Sequence, residues 1–250
     1  MSAFRDFFSA QSESYAQFRP HYPAPLYHFL ADESPHHRLA WDVGTGNGQA
    51  AIGLAAHFEK VRATDASETQ IDRAIKNDRV DYAVAPANES GLASESAALT
   101  TAAQCLHWFA SKSFYDEVFR VLAPGGLLAT WAYGFHRSGE THLDEIMLRF
   151  ATVILAEYWP SETKLIWNGY RDLEFPFAEI ATPSISLDVP WNLHELIGLF
   201  SSWSATQKFR EQRGFHPVET VGEELLAAWG DPEMRRTLRC PLVFRAGRAR

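Results

Sequence analysis

The residues with the plainest chemical purpose lie in one short run, Asp42-Val43-Gly44-Thr45-Gly46-Asn47-Gly48. Glycines at alternate positions let a backbone turn sharply and approach a ligand with no side chain in the way. An acid, Asp65, ends the next apolar run. A carboxylate there would reach the ribose hydroxyls of a nucleotide-like ligand and accept two hydrogen bonds. The dinucleotide fingerprint wants glycine at the first, third and sixth positions. Counted from Gly44, the sixth residue is Gln49 and the third glycine falls fifth, so that fingerprint fails. Asp42, just before the turn, could organise the glycines and sit near a cationic group, whereas a pyrophosphate would be repelled by it. Taken singly, each acid reads equally well as a helix cap or a surface charge.

Such a loop works only between a strand and a helix, and the flanking pattern supplies both. Residues 39–43 form a short apolar run stopped by glycine, which predicts a buried strand, and the Ala-rich stretch 49–58 predicts a helix. The alternation continues. Strands are expected at 61–64, 80–85, 97–103 and 127–131, and helices at 67–76, with Ser67 as N-cap, and at 113–122. The run Ala123-Pro124-Gly125-Gly126 reads as a stop signal. Strands alternating with helices imply a parallel sheet with right-handed crossovers. Ahead of this core, Pro20, Pro23 and Pro25 forbid a continuous helix, and a short helix is expected over 25–31. After Gly134 the rhythm changes. Leu143, Ile146, Met147, Phe150 and Ile154 line one face of a long helix predicted over 141–158. A strand at 184–189, helices at 192–200 and 221–229, and an alternating strand through Leu238, Cys240, Leu242 and Phe244 follow. The reading is thus an arm and core over 1–134, a helical insertion or lid carrying acceptor-site elements over 135–235, and the last core strand over 236–250.

Residues 39–133 resemble the class I S-adenosylmethionine (SAM)-dependent methyltransferases. The resemblance is carried by the glycine loop, by Thr64-Asp65-Ala66-Ser67-Glu68-Thr69-Gln70-Ile71, and by Val118 to Gly126. Tyr15 to Pro23, Ala102 to Phe109 and Ser202-Trp203-Ser204-Ala205 resemble the trans-aconitate methyltransferase-like, or type 11, group. The resemblance implies a Rossmann-like α/β fold: a mostly parallel sheet of about seven strands, helices on both faces, and a helical lid. It implies SAM as cofactor, with S-adenosylhomocysteine as product. Tyr15 and Arg19 would close over the methionine end, Arg19 pairing with its carboxylate, although an ordinary surface arginine is the alternative. Asp42, Gly44, Thr45, Gly46 and Gly48 would form the loop site, with Asp65, Ala66 and Gln70 beside it. Ala87 and Asn88 would flank the adenine, with Glu89 close by. Gln104, His107 and Trp108 would stand at the mouth.

Methyl transfer from a sulfonium is an in-line displacement, so alignment and exclusion of water are the protein's main contributions. A carboxylate acceptor needs no general base. A phenol or amine calls for one, and His107 is the candidate, against the alternative of a packed or hydrogen-bonded structural histidine. Trp108, Trp131 and Tyr133 could wall the site, and Trp131 could equally be core. Charge and composition narrow the partners. Net charge is −8 and no basic face is evident, which disfavours nucleic acid; the Arg-rich tail, 245–250, reads as solvated. The turn after the fourth predicted strand lacks the Asn/Asp-Pro-Pro-aromatic pattern of base amino-methylases and the acids of metal-dependent catechol methylases, so no metal is expected. The two cysteines, Cys105 and Cys240, show no disulfide or zinc spacing. His36-His37 reads as an exposed pair. With no signal core and no membrane-length apolar run, a cytoplasmic protein is expected. The function implied is methyl transfer to a small molecule. A catalytically silent SAM-binding regulator and, less well, a nicotinamide-dependent oxidoreductase are the alternatives.

Overall fold

The computed structural model describes residues 21–249, and Tyr15 and Arg19 lie outside them. Its first half alternates as the pattern demands: α1 (Ala24–Asp32), β1 (Leu39–Val43), α2 (Gln49–Leu54), β2 (Lys60–Asp65), α3 (Glu68–Asp72), β3 (Val80–Val84), β4 (Ala97–Ala103), α4 (Leu106–Phe109), α5 (Lys112–Val121) and β5 (Leu122–Tyr133). The second half contributes α6 (Thr141–Arg149), α7 (Lys164–Trp167), β6 (Ala178–Glu179), β7 (Ser186–Trp191), α8 (Leu193–Ser201), α9 (Ser204–Arg213), α10 (Gly222–Trp229) and β8 (Arg236–Arg248).

The strands make one eight-stranded sheet in the order β3-β2-β1-β4-β5-β8-β6, with β7 also pairing β8. Pairing is parallel from β3 through β5 and antiparallel where β8 meets β5, β6 and β7. This is the Rossmann-like α/β architecture, with β7 as a strand beyond the seven expected. Alternation along β5 sends Leu127, Ala129 and Trp131 into one core and Leu128 and Ala132 into the other. A sheet buried on both faces explains why β1 and β4 read as nearly unbroken apolar runs. A third core, holding Phe150, Phe200, Trp203 and Trp229, lies among the helices of the second half.

Five expectations need correction. The helices expected over 49–58 and 67–76 are shorter, α2 ending at Leu54 and α3 at Asp72. The stretch 141–158 is not one α-helix: α6 ends at Arg149 and a π-helical turn, Phe150–Ile154, follows it. The Ala123–Gly126 run does not simply stop α5. Leu122 pairs with Ala97, so β5 begins there, and the register shifts before Leu127 meets Leu99. Within the Arg-rich tail, Arg245 and Arg248 are not solvated. Arg245 donates to the carbonyls of Tyr170 and Leu173, pairs with Glu179 and stacks on Phe175, while Arg248 pairs with Glu33 and donates to the carbonyls of Glu33 and Gly125. These arginines staple the second half of the chain and α1 to β8.

Candidate functional site

β1 and β4 are neighbours, yet β2 and β3 intervene between them in the chain. The strand order therefore reverses at β1/β4, and a crevice at the carboxyl ends of these strands is where such sheets bind ligands. The glycine loop leaves β1 at that point. Gly44, Gly46 and Gly48 all adopt left-handed backbone, with φ of 63°, 56° and 88°, a conformation that side chains disfavour. Their surroundings differ. A Cβ on Gly44 would meet the Cys105 sulfur at 2.8 Å, and one on Gly48 would lie 2.1 Å from the Tyr82 hydroxyl. Among the described residues, a Cβ on Gly46 would meet nothing nearer than Gln70 Oε1 at 4.0 Å. Gly44 and Gly48 are glycines because the protein packs against them. Gly46 is the one whose missing side chain leaves a vacant cradle.

Two acids hold this loop. Asp42 is fully buried and accepts hydrogen bonds from the Thr45 hydroxyl at 2.6 Å and the Thr101 hydroxyl at 2.7 Å. Burial pushes its carboxyl up to about 6, against the lowering effect of the two threonines. Asp42 thus ties the loop to β4, and its carboxylate meets hydroxyls of the protein. Asp65 accepts from the Gly46 amide at 2.8 Å and from the Ser67 amide at 2.9 Å. It lies at the lip of the cradle. Ser67 in turn caps α3 by accepting from the Gln70 amide. Gln70 is buried beside Gly46, and Ala66 is exposed. Ala87 is half-buried and Asn88 exposed beyond β3.

The exit of β4 forms the opposite wall. Gln104 has φ of 59°, an uncommon backbone for a non-glycine residue. Its backbone N–H donates to the Trp131 carbonyl, and its side chain accepts from the N–H and donates to the carbonyl of Tyr133. That clamp joins the ends of β4 and β5. Cys105 donates through its sulfur to the Val43 carbonyl, and burial pushes its thiol well up. His107 is buried, with Nδ1 2.9 Å from the Tyr170 hydroxyl, and burial lowers it to about 4. Tyr170 itself has φ of 58°. Trp108 is half-buried and packs on His107. Trp131 is fully buried core, whereas Tyr22 packs edge-on against it and lies near Tyr133. Sequence reasoning missed Tyr82, His136, which packs against Tyr133 and Trp191, and Tyr170. Gly48, Trp191 and His107, which they meet, are distant in the chain, and the sequence signal was the aromatic run Trp131, Tyr133, Phe135. Among the described residues no group of three or more His, Cys, Asp or Glu is placed to hold a metal, and no helix is long and apolar enough to cross a membrane.

Comparison with known proteins agrees with this geometry. Residues 41–130, from β1 to β5, match a family model described as a methyltransferase domain. A Dictyostelium discoideum protein named as a methyltransferase is 34% identical over 229 residues, covering 90% of this chain and 87% of that protein. A methyltransferase of Aspergillus candidus is 27% identical, covering 89% and 78%. A solved structure from Anaeromyxobacter dehalogenans, described as a type II methyltransferase, is 39% identical with a TM-score of 0.87, covering 92% of this chain and 98% of that one.

Proposed function

Because the chain belongs to the class I SAM-dependent methyltransferases, we propose that it transfers a methyl group from SAM to a small-molecule acceptor. The observation that carries the reading is the cradle at Gly46, open among the described residues where the Gly46 amide meets Asp65. Bound there, SAM would supply a methyl group on a sulfonium, electrophilic enough for an acceptor to attack its carbon while the thioether of S-adenosylhomocysteine leaves. The residues present suit it. Thr45 and Gly46 would line the amino-acid end, with Gly44 and Gly48 shaping the turn behind them and Asp42 anchoring it from within; the negative Asp65 favours a cation over a pyrophosphate. Asp65, Ala66 and Gln70 would meet the ribose, and Ala87 and Asn88 the adenine. Tyr15 and Arg19 would close over the carboxylate end; Tyr22, at the carboxyl end of β5, supports that entry side.

The chain's own contribution is alignment and dryness. The Gln104–Tyr133 clamp fixes the rim facing the loop, and Trp108 stands beside it. His107 stays neutral at pH 7, and its Nδ1 is committed to Tyr170. This favours an acceptor that arrives already nucleophilic, with Nε2 left as the one ring nitrogen of His107 available to a phenol or amine. The segment 135–235 would cover the acceptor as a lid. Incubation with tritiated-methyl SAM and a metabolite extract tests the reading. Label in a small organic product supports it. Label in nucleic acid overturns the small-molecule acceptor, and no label with S-adenosylhomocysteine bound would leave a silent binder.

A further inference from the structure

A cavity of about 380 Å³ opens between the sheet and the second-half helices, within the range of small-molecule sites. It is lined by Phe135, Leu148, Ile166, Trp167 and Val243, among others, and by a single charged residue, Arg137. Its place follows from the register. Tyr133, the last residue of β5, pairs with Leu242, and Arg137 then bridges Arg239 through both backbone hydrogen bonds. Arg137 is therefore held three β8 residues past the end of β5, about 10 Å beyond it along the strand. The cavity lies on the carboxyl side of the parallel strands, as the cradle at Gly46 does. A larger concavity, of about 520 Å³, lies instead around Arg210 and His216 at the end of α9, within the second-half helices.

Among the described residues, the Arg137 guanidinium has no ion pair or hydrogen bond and no carboxylate lines the cavity. Other arginines nearby are spoken for: Arg236 by Glu140 and Arg239 by Asp188. Thr152 spends its hydroxyl on the Leu148 carbonyl, so the described walls are largely apolar. The wall itself is irregular where it meets the cavity, because Thr152 belongs to the π-helical turn, a feature that recurs at functional sites. Arg137 is exposed, so its guanidinium stands at the rim of the cavity. An apolar groove with one unpaired cation at its rim suits an apolar molecule bearing one negative group. We infer that this cavity receives the methyl acceptor, and that the acceptor carries an anionic group held by Arg137, remote from the atom that is methylated. The inference rests on the methyltransferase reading for the word acceptor, while the ligand chemistry rests on the cavity alone.

Calorimetric titration of the full chain with 3-phenylpropanoate and octanoate, each beside its neutral amide and with S-adenosylhomocysteine present, tests this. Both acids should bind at least tenfold tighter than their amides. Arg137→Met should lose that advantage with amide and S-adenosylhomocysteine affinities unchanged, and Arg137→Lys should recover part of it. Leu148→Trp, which fills the cavity, should remove acid and amide binding together. Equal binding of acid and amide, or acid binding untouched in Arg137→Met, overturns the inference. So does S-adenosylhomocysteine binding with neither acid bound, which leaves the methyltransferase reading standing. Failure of S-adenosylhomocysteine to bind overturns that reading instead, and the acid–amide contrast measured without it then decides the cavity.

Discussion

Substituting alanine at Gly46 and at Gly48 separates a glycine kept for a ligand from a glycine kept for packing. Both residues have positive φ, so both variants carry the left-handed penalty of about 1–2 kcal/mol. At Gly46 little is added, because the new methyl group finds nothing closer than 4.0 Å among the described residues. At Gly48 the methyl would lie 2.1 Å from the Tyr82 hydroxyl and 2.8 Å from its ring. The ring must move, which costs about 1–3 kcal/mol as overpacking and endangers the Tyr82 bond to the Ile75 carbonyl. Gly48→Ala should thus be less stable than Gly46→Ala by about 1–3 kcal/mol, roughly 2–12 °C in Tm for a chain of this size. Binding should order the variants the other way. Gly46→Ala should lose at least tenfold in S-adenosylhomocysteine affinity, about 1.4 kcal/mol, while folded Gly48→Ala keeps most of it. Removing the ring in Gly48→Ala/Tyr82→Ala should relieve the clash. Thermal melts and calorimetry on the variants read both effects. If Gly46→Ala binds as wild type does and melts as low as Gly48→Ala, the cradle is not the ligand site.

Three further outcomes follow from the same geometry. Asp65→Ala should weaken S-adenosylhomocysteine by about 1–3 kcal/mol, the cost of lost charge-assisted hydrogen bonds; unchanged affinity in calorimetry would place the nucleoside elsewhere. The folded state raises Asp42 from 3.8 to about 6, so it holds an extra proton in that window and loses stability as pH rises through it, by roughly 3 kcal/mol in all. Asp42→Asn lacks that term, so urea titrations should show its stability relative to wild type improving by about that amount between pH 4 and pH 7; a constant difference would refute the burial argument. Arg245→Met should cost about 2–3 kcal/mol in denaturant unfolding through its bonds to the Tyr170 and Leu173 carbonyls, whereas Glu179→Gln, which leaves those carbonyl bonds in place, should cost less.

The elements that read well from sequence are those whose pattern is local. β1 and β4 sit at the expected residues because each is an apolar run bounded by turn signals. Ser67 caps α3 as its type suggests. The misreadings come from contacts that no local pattern encodes. β6 is two residues long and exists because β8 passes beside it. Arg245 and Arg248 read as solvent-facing, yet their partners, Glu179 and Glu33, come from elsewhere in the chain. The π-helical turn keeps the apolar spacing of an α-helix, so periodicity alone does not separate them. At the site, spacing identified the glycine loop and Asp65, but not the division of labour among the glycines, which depends on Tyr82, Cys105 and Phe109. Asp42 looked poised toward a ligand; Thr101, on β4, turns it inward.

The central claim is that the Gly46 cradle binds SAM, and calorimetric titration of the purified chain tests it most directly. The account predicts saturable binding of SAM and S-adenosylhomocysteine at one site per chain, displaced by each other and not by NAD. Binding of NAD with no response to SAM would contradict it.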